Sequence, residues 1–115
     1  MNAEELLANL RKIQEPKGYH FNRDLEITIF LLESLLANKD RYGYMACPCR
    51  LAKNDFEADR DIICPCDYRD DDLKDFGSCY CGLYVSNEFN EGKLRPQFVP
   101  ERRPVEKCRT KTHSF

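Results

Sequence analysis

Six of the seven cysteines in this 115-residue chain come in pairs separated by a single residue. They read "CPCR" at 47–50, "CPCDYR" at 64–69 and "CYCGLYV" at 79–85, so Cys47/Cys49, Cys64/Cys66 and Cys79/Cys81 form three Cys-x-Cys units. A tetrahedral ion or an iron–sulfur cubane takes four sulfurs, which leaves two over. Structural zinc sites use knuckles with two to four intervening residues, in which both sulfurs wrap one ion. The one-residue spacing weakens that reading without removing it. Pro48 and Pro65 keep their flanking cysteines out of a helix interior. At such a turn the two side chains can diverge, one sulfur on a metal and the other held beside it. Four thiolates around iron would hold a [4Fe–4S] cluster, and the two remaining thiols could close into a disulfide. Reducing a disulfide takes two electrons, whereas a cluster passes them singly, so the combination has a chemical logic. Three readings stay open on the residues alone: a disulfide reductase, an electron-transfer module with idle thiols, and a zinc-binding interaction domain.

The length fits one domain, residues 1–115, with a modest core. No stretch approaches the roughly 18 apolar residues of a membrane span, and "MNAEELLANLRKI" carries acids where a signal or transit peptide carries bases. The expectation is a cytoplasmic protein that engages no membrane. In a reducing compartment a secreted-type disulfide scaffold is excluded, and the odd seventh thiol, Cys108, argues the same way. A net charge of −2 argues against nucleic-acid binding. The charge is unevenly spread: residues 55–75 hold nine acids against Arg60, Arg69 and Lys74, while residues 91–115 hold seven bases against three acids. These stretches read as two solvated faces or as docking patches for two different partners.

The elements that must carry the cysteines are helices. Asn2 and Glu5 form a capping box for a first helix whose apolar face is Leu6, Leu7, Leu10 and Ile13, ended by Pro16 and Gly18. Asn22 is expected to cap a second helix to about Asn38. Its apolar residues, from Leu25 and Ile27 to Leu35 and Leu36, lie nearly all round, which predicts the buried centre of the domain. "RLAKNDFEADRDII" and "DDDLKDFG" suggest two further helices, the second closed by Gly77. From about residue 93 the chain carries Pro96, Pro100 and Pro104 and reads as an extended tail wrapped over the domain. No pair of strands shows clear alternation. The expected fold is all-α: short helices with irregular loops organised around an iron–sulfur cluster.

"RYGYMACPCR", then "CPC", then "CYCGLYV" strongly resembles the catalytic chain of ferredoxin:thioredoxin reductase, a family marked by Cys-Pro-Cys, Cys-Pro-Cys and Cys-His-Cys in this order. The likeness runs from about Asn22 to about Val85. It implies a [4Fe–4S] cluster held by Cys47, Cys64, Cys66 and Cys79, and makes Cys49 and Cys81 the active-site disulfide. In the family scheme ferredoxin delivers one electron at a time. The sulfur matching Cys81 interacts with the cluster, and the one matching Cys49 attacks the disulfide of thioredoxin or a similar protein. A separate variable subunit accompanies the photosynthetic enzymes. Arg50, and a helix beginning at "RLAKND", would favour the Cys49 thiolate.

Two departures from the family pattern bear on the chemistry. The gaps between pairs are 14 and 12 residues, whereas plant and cyanobacterial members have a longer first gap and a shorter second; here the extra length is the acidic "DYRDDDLKDF". Tyr80 stands where the family has histidine, and a phenol near pKa ~10 is a much weaker acid than an imidazole near ~6.5. Tyr80 can instead donate a hydrogen bond or pack on the cluster, and His20 and Asp67 are the other protic candidates, each read first as a surface or turn residue. Because ferredoxins are commonly acidic, Arg95, Arg102 and Arg103 are the expected docking residues, with Asp70–Asp72 facing thioredoxin. Cys108 is expected to be a free tail thiol.

Overall fold

Asn2 Oδ1 accepts from the Glu5 amide at 2.8 Å and Glu5 Oε1 accepts from the Asn2 amide at 3.1 Å, so the capping box that opens α1 (Ala3–Gln14) is fully formed. The computed structural model describes residues 1–95 and 97–108. A single 3₁₀ turn, Glu15–Lys17, carries Pro16 and ends at Gly18 in the left-handed region, as the sequence predicts. Ala3, Leu6 and Leu7 of α1 are buried against α2 (Leu25–Tyr42), which contributes Leu31, Leu32 and Leu35.

The start of α2 differs from expectation. Asp24, two residues later than Asn22, is its N-cap and accepts from the Ile27 amide. Asn22 is used elsewhere. Its side-chain carbonyl takes the Asp24 amide, its side-chain amide donates to Gly82 O at 3.1 Å, and its backbone N–H donates to Leu83 O at 2.9 Å. Both residues are competent caps, and the one with a tertiary partner gave up the cap. At its other end α2 runs four residues past Asn38 and stops at Gly43, whose φ of 88° only glycine adopts easily. The helix is not buried all round: Leu25, Ile27 and Phe30 are exposed, while Thr28, Leu31, Leu32 and Leu35 are buried, with Ile29 and Leu36 packed beside them.

The all-α expectation also needs correction. β1 (His20–Phe21) pairs antiparallel with β2 (Tyr84–Val85), with His20 opposite Val85 and Phe21 opposite Tyr84. Two-residue strands are too short to leave an alternating pattern in a sequence, which needs about four residues to show. This small sheet has a large positional effect, because it fixes the segment after Cys81 to the core residues Phe21, Leu83 and Tyr84.

Between α2 and the sheet the chain forms α3 (Phe56–Asp59), a 3₁₀ turn at Arg60–Ile62, and α4 (Arg69–Phe76). Gly77 closes α4 at φ 74°, a backbone conformation that makes the position glycine, and a Cβ there would also meet the end of the Leu94 side chain. Residues 50–55 are not helical; α3 begins only at Phe56, capped by Asp55. After α5 (Asn87–Asn90) the described part of the tail has no regular structure until α6 (Val105–Cys108). The rest of the predicted tail, residues 96 and 109–115, lies outside the described residues. Among the described residues no helix is long and apolar enough to cross a membrane.

Candidate active site

The first and third cysteine pairs are built as the same device. In each, the carbonyl of the first cysteine accepts from the residue after the second: Arg50 N to Cys47 O at 3.2 Å, and Gly82 N to Cys79 O at 3.0 Å. Such four-residue turns hold both thiols at one corner. The second pair departs from this. Its Cys64–Pro65 bond is cis, and its turn starts at Cys66, whose carbonyl accepts from Arg69 N. Backbone bonds then lay the first two pairs side by side, Cys47 N to Ile62 O at 2.8 Å and Cys64 N to Met45 O at 2.9 Å. Cys79 is tied in turn to the sheet by Cys79 N to Tyr84 O.

These turns deliver Cys47, Cys64, Cys66, Cys79 and Cys81 to the lining of one pocket, with Arg50, Arg69, Tyr80 and Tyr84. The sixth, Cys49, lies outside the lining and is exposed, while Cys47 and Cys79 are buried. All seven cysteines are free thiols. The Cys81 thiol is the hub. It sits 3.8 Å from Cys79 Sγ. Interaction with the Cys47, Cys49 and Cys79 thiols, together with burial, pushes Cys81 well up. Cys79 falls to about 6 through the Cys81 thiol, against the opposing effect of burial, aided by the Tyr84, Gly82 and Leu83 amides. Cys47 falls to about 7 through Cys81, against burial, with help from the Cys49 amide and the Arg50 charge. Cys49 is also lowered, chiefly by Cys81. Burial raises Cys64 and Cys66. Among the described residues no three His, Cys, Asp or Glu side chains converge as the ligands of a single ion would.

The sequence matches the family described as "Ferredoxin thioredoxin reductase catalytic beta chain" over residues 2–110. The chain belongs to this family. A curated relative, "Ferredoxin-thioredoxin reductase, catalytic chain" of Guillardia theta, is 37% identical over 73 residues, which are 60% of this chain and 68% of that one. This reductase chain is accordingly an oxidoreductase, and the resemblance drawn from its three cysteine pairs holds over nearly the whole sequence.

Arg50 of the reductase chain does more than lend charge to Cys49. Its Nη1 lies 3.6 Å from both Cys47 Sγ and Cys66 Sγ, and its guanidinium stacks over Tyr80 at 4.5 Å and Tyr68 at 5.3 Å. Tyr80 thus serves as a platform for Arg50. Burial and the nearby Glu101 carboxylate push its phenol above the ordinary 10, which makes it a still weaker acid. His20 and Asp67 are exposed and lie outside the pocket lining. The helix expected behind Cys49 is absent, so Cys81 and Arg50 supply its activation instead.

Of the three expected docking residues Arg95 is exposed, whereas Arg102 and Arg103 are taken up within the chain. Arg103 is buried, with Nε 2.9 Å from Asp61 Oδ2 and Nη2 3.1 Å from Asp61 Oδ1. Arg102 pairs with Asp72 at 2.9 Å and Asp75 at 2.7 Å. The acidic segment and the basic tail are therefore each other's partners, pairing across 30 and 42 residues of sequence. Asp59 completes the arrangement: it is fully buried and accepts from Tyr44 Oη at 2.6 Å and from the Lys53 amide. Sequence reading singled out neither Glu101, Arg69 nor Tyr84. The only local sign of Arg69 was its place as the one base beside "DDD". Cys108, at the end of α6, is exposed and free, as expected.

Proposed function

We propose that this oxidoreductase takes electrons singly from a ferredoxin and uses them to reduce the disulfide of thioredoxin or a similar protein, through a Cys49–Cys81 pair beside a [4Fe–4S] cluster held by Cys47, Cys64, Cys66 and Cys79. The observation that carries the reading is the split among the six cysteines: five line one pocket, with Cys81 Sγ 3.8 Å from Cys79 Sγ, and one, Cys49, faces solvent.

The residues present suit an anionic, sulfur-rich group. Arg50 and Arg69 bring two cations to the pocket. Two buried donors on its lining, Arg69 Nε and Tyr84 Oη, make no hydrogen bond, although Arg69 Nε lies 3.5 Å from Asp70. Buried donors left unpaired cost stability, and an acceptor in the pocket would relieve both. When bound, a cluster supplies single electrons at low potential. The chain's own residues do the rest. Cys49, exposed and lowered, attacks a partner disulfide, forms a mixed disulfide and expels one partner thiolate. Cys81 then attacks the Cys49 sulfur, releasing the second partner thiolate and closing Cys49–Cys81. Two electrons leave the dithiol in that exchange, and two single electrons restore it.

The test is anaerobic purification with iron, acid-labile sulfide and zinc determined per chain, followed by reduction of thioredoxin by reduced ferredoxin. About four irons and four sulfides with ferredoxin-dependent turnover are expected; zinc without sulfide would overturn the reading. A finer check uses Tyr84→Phe, which removes only the unpaired hydroxyl. The metal-free variant is expected to be about 1 kcal/mol more stable in denaturant melts. The loaded variant should show a lower reduction potential, because a donor facing the sulfurs has gone.

A further inference from the structure

We propose that Glu101, in the tail, is a positioning residue for Arg50, and that it holds the guanidinium across the Cys47 and Cys66 sulfurs. The proposal deepens the cluster reading, in which those two sulfurs are ligands. Glu101 grips Arg50 edge to edge: Nε to Oε2 is 2.8 Å and Nη2 to Oε1 is 2.7 Å. A guanidinium is planar, so engaging Nε and Nη2 fixes the direction of the remaining corner. That corner is Nη1, 3.6 Å from each of the two sulfurs. The Arg50 side chain is only 2% exposed although its residue sits on a surface turn, because Glu101 covers it from outside and Tyr80 and Tyr68 flank it.

Glu101 is itself held. Its Oε1 accepts the Arg103 amide at 2.9 Å, and the Arg103 side chain is locked into Asp61. A continuous run of contacts thus joins the buried carboxylate of Asp61 to the sulfurs through Arg103, Glu101 and Arg50. Without Glu101, Arg50 keeps its charge but loses the partner that orients its plane. Its Nη1 no longer has a reason to stay between the first and second cysteine turns. Partners that orient groups around a metal centre commonly change its retention by about 10–100-fold.

The experiment compares anaerobically loaded wild type with Glu101→Gln, Arg50→Ala, the double variant and Arg102→Ala. It reads the rate at which an iron chelator bleaches the visible absorbance. Glu101→Gln and Arg50→Ala should each bleach about tenfold faster than wild type. The double variant should be no faster than Arg50→Ala, because Glu101 acts through Arg50. Arg102→Ala loosens the same tail through Asp72 and Asp75 and should lower the melting temperature while bleaching like wild type. A Glu101→Gln rate equal to wild type would overturn the proposal. So would a double variant faster than Arg50→Ala, or an Arg102→Ala as fast as Glu101→Gln. Wild type with no iron and no colour would instead sink the cluster reading itself, and the proposal with it.

Discussion

Cys49→Ser is expected to keep full iron and sulfide content and to lose ferredoxin-dependent disulfide reduction to background. The expectation follows from position. Cys49 is the exposed member of the six and lies outside the pocket lining, so removing its sulfur takes nothing from a group bound inside. It also removes the one sulfur of the six that an incoming protein disulfide meets without entering the pocket. A hydroxyl in its place is not ionised near neutral pH and cannot form the mixed disulfide. The companion variant, Cys81→Ser, should behave differently: Cys49 attacks once, and the partner stays attached because no second thiol resolves it. Mass spectrometry under non-reducing conditions would show the covalent adduct. Loss of iron from Cys49→Ser would mean that the exposed cysteine is a ligand and that the assignment of the six must be redrawn.

Arg103→Ala is expected to destabilise the chain by about 3–5 kcal/mol, because it leaves a buried carboxylate without its counter-charge. Arg103 is 4% exposed, and Asp61 and Asp59 are 6% and 0% exposed. Urea unfolding of the metal-free protein would measure the loss, and an effect below about 1 kcal/mol, the usual worth of a surface pair, would show that water reaches the site. The pH dependence has a defined sign. Burial alone would raise the Asp61 carboxyl, but hydrogen bonds from Arg103 and Tyr68 outweigh it and hold it below the ordinary 3.8. The pair therefore contributes fully above that value and is lost as pH falls through the lower, folded-state value. Wild type should shed stability on that acid limb. Arg103→Ala, lacking the group that depresses Asp61, should shed less.

What could be read from the sequence was what neighbouring residues decide. The capping box at Asn2 and Glu5 and the stop at Gly77 are local, and both formed as predicted. The three Cys-x-Cys units sufficed to identify the family. What escaped reading was decided by partners distant in sequence. Asn22 lost its cap role to a bond with Gly82, sixty residues away. The sheet consists of two residues opposite two. Arg102 and Arg103, read as a surface for a partner, are instead paired within the chain, Arg103 buried, with acids 30 and 42 residues earlier. Opposite charge runs within one small chain are as able to meet each other as to meet a stranger. The apolar ring of α2 misled for a related reason: composition gives the number of apolar residues, not how much protein is available to cover them, and Leu25, Ile27 and Phe30 remain outside.

Glu101 and Arg103 follow all six paired cysteines in the chain, yet they hold the residues around those cysteines. A chain cut back to Val85 would keep every paired thiol and lose both the carboxylate that grips Arg50 and the guanidinium that neutralises Asp61. The tail is thus a wall of the site, and trimming it would open the pocket from outside.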